Sequence, residues 1–120
     1  MPMIKIETKI PTPNISDAFM ADFVDTICTV FNKPRERILT QALGNQMMTF
    51  GGSKDPCGLV TVVGINIHED GRVKAAHSIT EAAQKHLGIA PERLAIRFVN
   101  ENPRHLAVGG KLHGGPAPHV

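Results

Sequence analysis

The fold is decided by the stretch Leu59–Ile67, whose sequence is LVTVVGINI. Six of its nine residues are aliphatic, and they form an almost continuous run. Such a run predicts a central strand that is buried on both faces of a sheet. The rest of the chain therefore has to cover one face of that sheet with helices and leave the other face for a further partner.

The apolar periodicity of the remaining sequence divides the chain into two strand–helix–strand halves. The predicted elements are, in order, a strand at 3–7, a helix from Ser16 to Asn32, a strand at 38–43, the strand at 59–67, a turn at 69–71, a helix at 73–87 that stops at Gly88, and a strand at 94–99. The long connection at 44–56 predicts either a functional loop or a short strand around residues 47–49, and another short strand is expected at 107–108.

These halves predict an α+β protein made of two βαβ repeats, since a strand that returns through a helix pairs in parallel with its partner. Two repeats side by side give a four-stranded sheet with both helices on one face. We expect a single domain over residues 1–120, with a loose tail from about residue 109, where glycine, proline and histidine dominate. The uncovered face of the sheet predicts self-association.

Pro2 begins the first strand, in the sequence MPMIKI. Its small side chain normally allows the initiator methionine to be removed, which would turn the Pro2 nitrogen from an amide into a secondary amine. That amine could take up and return a proton. The alternative is that Pro2 merely starts an edge strand, where its missing N–H costs nothing.

Three further side chains are candidates for a site, each with a simpler alternative. Lys33 follows the first helix, where it would also complement the helix dipole. Ile65 lies near the end of the buried run and could be ordinary core. Arg97 points away from Ile96 and Phe98, so it needs either a ligand or a surface carboxylate.

Composition excludes several classes of function. The chain has 13 basic and 11 acidic side chains, a balance that does not favour nucleic acid. No apolar run is long enough for membrane insertion, and residues 1–20 do not resemble a signal peptide. The six histidines show no zinc spacing, and phosphate-loop and nucleophile-elbow motifs are missing. A cytoplasmic location is therefore expected.

Four features together resemble the macrophage migration inhibitory factor family, which includes D-dopachrome tautomerase and belongs to the tautomerase superfamily. They are Pro2 at the start of a strand, Asn32-Lys33-Pro34, MTFGGSKDPC at 48–57, and Pro91-Glu92-Arg93 before a strand. The similarity extends from Pro2 to about Val108, and the segment 50–57 is its most specific part.

The resemblance implies a homotrimer whose sheets line a central channel and whose active sites lie at subunit boundaries. It implies that Pro2 is the catalytic base, Lys33 a substrate-binding cation and Ile65 a pocket residue, with no metal or cofactor. Ala95 stands where the migration inhibitory factor branch of the family has a pocket tyrosine supplied by the neighbouring subunit. Arg97 stands where that branch has an asparagine, and here the sequence is closer to the D-dopachrome tautomerase branch. Val60 replaces the second cysteine of the family's C-x-x-C, so the corresponding thiol chemistry is not expected.

The implied function is keto–enol tautomerisation of phenylpyruvate-like or dopachrome-like keto acids. The alternative from another class is a cytokine-like ligand of a cell-surface receptor, secreted by a route that needs no signal peptide, with the pocket vestigial or secondary. The sequence leaves both open.

Overall fold

The computed structural model describes residues 2–114. Its main elements are β1 (Met3–Thr8), α1 (Asp17–Phe31), β2 (Leu39–Leu43), β3 (Gly58–Gly64), α2 (Glu69–Leu87), β4 (Leu94–Asn100), β5 (Ala107–Val108) and β6 (Lys111–Leu112). Neither helix of this part of the chain is both long and apolar enough to cross a membrane.

The four longer strands form one mixed sheet in the order β2-β1-β3-β4. Strand β1 runs parallel to β2, and β3 runs parallel to β4, while β1 and β3 are antiparallel at the centre. Both helices pack on one face through a core of aliphatic and aromatic side chains that includes Ile6, Val60, Phe19, Phe23 and Ile79. The predicted α+β architecture of two βαβ repeats is therefore confirmed.

Helix α1 begins and ends as its sequence predicts. The hydroxyl of Ser16 accepts a hydrogen bond from the Phe19 N–H at 3.1 Å, which caps the first turn. Asn32 adopts a left-handed conformation (φ 53°) and ends the helix before Pro34. The chain then turns through a short 3-10 segment, Arg35–Arg37, into β2.

Helix α2 begins at Glu69, so the prediction of a turn at 69–71 and a helix start near Val73 is wrong. Glu69 and Asp70 occupy the first helical turn, where carboxylates are stabilised by the positive end of the helix dipole. Gly71 suggested a turn, but here it lies inside the helix. Gly88 ends the helix in a left-handed conformation (φ 67°), as predicted.

Strand β3 is shorter than predicted, because it ends at Gly64 rather than at Ile67. Asn66 has a positive φ of 57°, which takes the chain out of the extended conformation. Of the two alternatives for the connection at 44–56, the strand at 47–49 is not formed, since those residues have no regular structure and only Phe50 and Ser53 make an isolated bridge.

The end of the described chain forms a hairpin. Strands β5 and β6 pair antiparallel, with Ala107 opposite Leu112. The short strand at 107–108 was expected. Residues 109–114 were expected to be loose, but they form the turn and the second strand of this hairpin. The remainder of that expectation falls on residues 115–120, which lie outside the described part of the chain.

The face of the sheet opposite the helices, here called the open face, is not covered by residues 2–114. Three rows of side chains cross it, since the strand register places residues from β2, β1, β3 and β4 side by side. The upper row is apolar (Leu39, Met3, Val63 and Val99), the middle row is polar (Gln41, Lys5, Thr61 and Arg97), and the lower row is mixed (Leu43, Glu7, Leu59 and Ala95). Leu39 is 50% exposed.

Candidate active site

Pro2 is buried at the start of β1. Its carbonyl oxygen accepts a hydrogen bond from the Leu39 N–H at 3.0 Å. Met3 is paired with Val63 in the register, so Pro2 lies beside the last residue of β3, Gly64. The sheet therefore fixes Pro2 between the beginning of β2 and the end of β3.

A cavity of about 740 Å³ opens at this position, and Pro2, Lys33 and Ile65 all line it. Three of the five residues predicted for the site are thus brought together by the fold. Val30, Phe31, Val62 and Ile67 supply apolar wall, and polar and charged residues also line the cavity. The volume falls within the range of about 300–1,000 Å³ that is typical of small-molecule sites.

Lys33 reaches the cavity because α1 ends directly before it. The left-handed Asn32 turns the chain, and Pro34 restricts the backbone that follows. The side chain is exposed, and it forms no ion pair with any residue between 2 and 114. An ammonium group at the edge of an apolar cavity is suited to binding a carboxylate.

Ile65 belongs to the loop that joins β3 to α2, not to the strand itself. Hydrogen bonds on Ile67 hold this loop in place: its N–H donates to Asn100 Oδ1 at 2.7 Å, and its carbonyl accepts from Arg72 at 2.8 Å. The wall that contains Ile65 is therefore fixed by β4 and by the first turns of α2.

Ala95 and Arg97 do not line the cavity of their own chain. Both are exposed residues of β4, and both lie on the open face of the sheet. Arg97 donates a hydrogen bond to Thr61 Oγ1 at 3.3 Å across the strand pair. A role for either residue beside Pro2 would require a second copy of the chain, so it stays a prediction.

Five polar residues of the cavity were not predicted: His68, Asp70, Lys74, His113 and Asn66. The first three were missed because the start of α2 was placed four residues too late. With the helix beginning at Glu69, the i, i+4 spacing places Asp70 and Lys74 on one face. His113 was missed because residues 109–114 were expected to be irregular.

His113 follows β6 and lies at the edge of the cavity. Its backbone N–H donates to the Leu106 carbonyl at 2.7 Å, which ties it to the hairpin. The positive charge of the chain's N-terminus lowers the pKa of His113 from the ordinary value of 6.5, and slight desolvation, Arg37 and Lys33 act in the same direction. In the chain that retains Met1, where this charge is present, the neutral imidazole of His113 is therefore favoured.

Comparison with known proteins identifies the family. The sequence profile described as macrophage migration inhibitory factor (MIF) matches residues 1–114. The chain belongs to the macrophage migration inhibitory factor family.

Relatives of this MIF-family chain match it over most of their length. It is similar to the macrophage migration inhibitory factor homolog of Brugia malayi, with 29% identity over 95% of this chain and 100% of the relative. It is also similar to D-dopachrome decarboxylase of Gallus gallus, with 27% identity over 86% of this chain and 89% of the relative.

The fold of solved MIF structures is the same. The macrophage migration inhibitory factor of Toxoplasma gondii superposes with a TM-score of 0.85, at 28% identity, over 91% of this chain and 97% of that one. The family and the fold implied by the sequence features are both confirmed. The roles of individual site residues in this MIF-family chain remain predictions.

Proposed function

We propose that the protein is a cofactor-independent keto–enol tautomerase that uses the nitrogen of Pro2 as its base. Its substrates would be small α-keto acids or other carboxylates, similar to phenylpyruvate or dopachrome. The observation that supports this proposal is the position of Pro2, which is buried at the wall of a cavity that also contains the cation Lys33.

The base would be the secondary amine that removal of Met1 creates. A free α-amine has an ordinary pKa of about 8. The burial of Pro2 and the positive charge of Lys33 in the same cavity both disfavour an ammonium ion at this place. A neutral amine that is available near pH 7 can act as a general base.

The substrate would be oriented by its carboxylate, which would pair with Lys33 at the edge of the cavity. In the ketonisation direction, Pro2 would take the proton from the enol oxygen. The C2–O bond becomes the carbonyl as the electron pair of the C2=C3 bond moves to C3. Pro2 then returns the same proton to C3. The reaction is an isomerisation, so its atoms and electrons balance without a further reactant.

The site would be completed by a neighbouring copy in a homotrimer, in which Ala95 and Arg97 of that copy approach the cavity. The exposed position of both residues on the open face supports this arrangement. Alanine in place of a pocket tyrosine would leave room above Pro2, and Arg97 would provide a further carboxylate-binding group. The relative named D-dopachrome decarboxylase supports an aromatic, dopachrome-like substrate.

The test is a phenylpyruvate tautomerase assay on protein whose N-terminus has been established by mass spectrometry. Processed protein should be active, and protein that retains Met1 should be nearly inert, because its Pro2 nitrogen is a tertiary amide without basic character. Pro2→Gly should retain a reduced rate, since a primary amine remains but the ring no longer fixes its direction. Circular dichroism and thermal melting of the forms serve as the folding control. Equal rates from the processed and Met1-retaining forms would exclude Pro2 as the base.

A cytokine-like function is the second candidate, and the name of the family supports it. In this case the protein would leave the cytoplasm by a route that needs no signal peptide and would bind a cell-surface receptor. Met1-retaining protein separates the two functions, since it should still bind cells if receptor recognition does not use the Pro2 amine. Loss of cell binding together with tautomerase activity would instead indicate that both depend on the same cavity.

A further inference from the structure

Lys74 is a second lysine in the wall of the Pro2 cavity. Its position follows from the contact between the two helices, because Phe31 at the end of α1 packs over Gly71 in the first turn of α2. Lys33 lies two residues after Phe31, and Lys74 lies three residues after Gly71, on the same face of α2. The two ammonium groups therefore reach one cavity from two different elements.

Positive charge exceeds negative charge in this cavity. Two lysines line it, and Asp70 is the one carboxylate among its lining residues within 2–114. Asp70 precedes Lys74 by four residues, a spacing at which an aspartate and a lysine can pair. In the described chain, however, no carboxylate lies within ion-pair distance of either Lys33 or Lys74. Both cations are therefore available to a ligand.

A substrate with a single carboxylate would use only one of these cations. We propose that Lys74 binds a second anionic group, so that the cavity selects α-keto acids that carry a further carboxylate. The apolar wall would contact the carbon chain between the two acidic groups, and Lys33 and Lys74 would hold its ends. This inference rests on the proposed function, because it assigns a substrate class to the same cavity.

Two keto acids with the same five-carbon chain provide the test. 2-Oxoglutarate has a terminal carboxylate where 2-oxopentanoate has a methyl group. Their affinities for processed protein can be measured by two-dimensional NMR, read on the amides of residues 64–67 and 70–74, without any turnover. We expect 2-oxoglutarate to bind at least about fivefold more tightly than 2-oxopentanoate, because its second carboxylate adds one charge-assisted contact.

Three variants connect this preference to Lys74. Lys74→Met keeps an unbranched apolar stem and should abolish the preference, while leaving the affinity for 2-oxopentanoate within about twofold. Lys85→Met removes the same charge from the same helix outside the cavity, and it should retain the preference. Asp70→Asn removes the nearby negative charge and should tighten binding of 2-oxoglutarate. The NMR spectrum of each variant also reports whether its fold is intact.

The proposal is overturned if the wild type binds the two keto acids equally, if it binds neither, or if Lys74→Met retains the preference. A phenylpyruvate assay on the same samples separates this result from the proposed function. Tautomerase activity without a preference for 2-oxoglutarate would support the enzyme proposal and contradict the role of Lys74. A preference without tautomerase activity would leave the dianion site and remove the enzyme proposal.

Discussion

The ring of Phe31 occupies the space directly above Gly71, so a β-carbon at residue 71 would lie 2.7 Å from Phe31 Cε1. This contact joins the end of α1 to the first turn of α2. The Pro2 cavity opens between these helix ends, and its lining lysines, Lys33 and Lys74, follow the two contacting residues in sequence. The geometry of the site therefore depends on one close approach between an aromatic ring and a glycine.

Gly71→Ala should destabilise the protein by about 1–3 kcal/mol, because the added methyl group forces the Phe31 ring to move. The sign of this change in the free energy of unfolding is informative, because alanine in place of glycine normally stabilises a helix by up to about 1 kcal/mol. Urea denaturation measures the change. The double variant Phe31→Leu/Gly71→Ala should recover part of the loss, and strictly additive effects would contradict the contact.

Arg93 holds the loop before β3 in place. Its guanidinium donates hydrogen bonds of 3.0 to 3.2 Å to the carbonyl oxygens of four loop residues: Phe50, Ser53, Asp55 and Pro56. Its carbon Cζ also lies 5.7 Å from the centroid of the Phe50 ring. Arg93→Lys should cost about 1–3 kcal/mol, because an ammonium group cannot reproduce this planar set of donors.

Hydrogen exchange at residues 50–56 should become faster in Arg93→Lys than elsewhere in the chain. Arg104→Lys is the matched control, since the Arg104 side chain donates no hydrogen bond to residues 2–114. Equal exchange rates in the two variants would mean that the loop holds its shape without Arg93.

In protein that retains Met1, the pKa of His113 should lie below 6.5, and acetylation of the N-terminus should raise it, because the positive charge of that N-terminus is the largest cause of the shift. Lys33→Gln should raise the pKa less. The folded chain binds this proton less readily than the unfolded chain, so stability falls as the pH drops from 6.5 through the lowered value. NMR titration of the His113 imidazole checks the shift, with the urea-unfolded protein as the reference. No response to acetylation would contradict the assignment.

The protein should be a homotrimer in dilute solution, because the open face leaves an apolar row without cover. Light scattering at micromolar concentration measures the mass. Leu39→Asp places a charge in that row and should shift the population towards the monomer. Val73→Asp changes a 65% exposed residue on a helix and should leave the mass unchanged. A monomer mass for the wild type would disprove association through this face.

Arg97→Ala should weaken turnover of keto acids more than turnover of their methyl esters, because only the acids offer a carboxylate to a guanidinium supplied by a neighbouring copy. The ratio of kcat/KM for phenylpyruvate and its methyl ester measures the effect, and Arg104→Ala serves as the control. Equal losses on both substrates would mean that the hydrogen bond from Arg97 to Thr61 has a purely structural role.

The sequence by itself determined the architecture of this protein. Most helices and strands are specified by residues that are close in sequence, so periodicity and capping predict them. Examples are the aliphatic run after Gly58, the N-cap at Ser16 and the helix end at Gly88. Pro2, Lys33 and Ile65 were also identified from sequence, through the MIF-family resemblance, and the fold brings them to one cavity.

Only the tertiary structure decided what else lines that cavity. Gly71 suggests a turn when it is considered locally, but its small size allows Phe31 to approach a helix that already began at Glu69. That earlier start places Asp70 and Lys74 beside Pro2. The hairpin of β5 and β6 is a local pairing through the Gly109-Gly110 turn, but the position of His113 at the cavity depends on how that hairpin packs. Contacts between residues far apart in sequence determine these positions, because they depend on how the elements pack and not on which elements form.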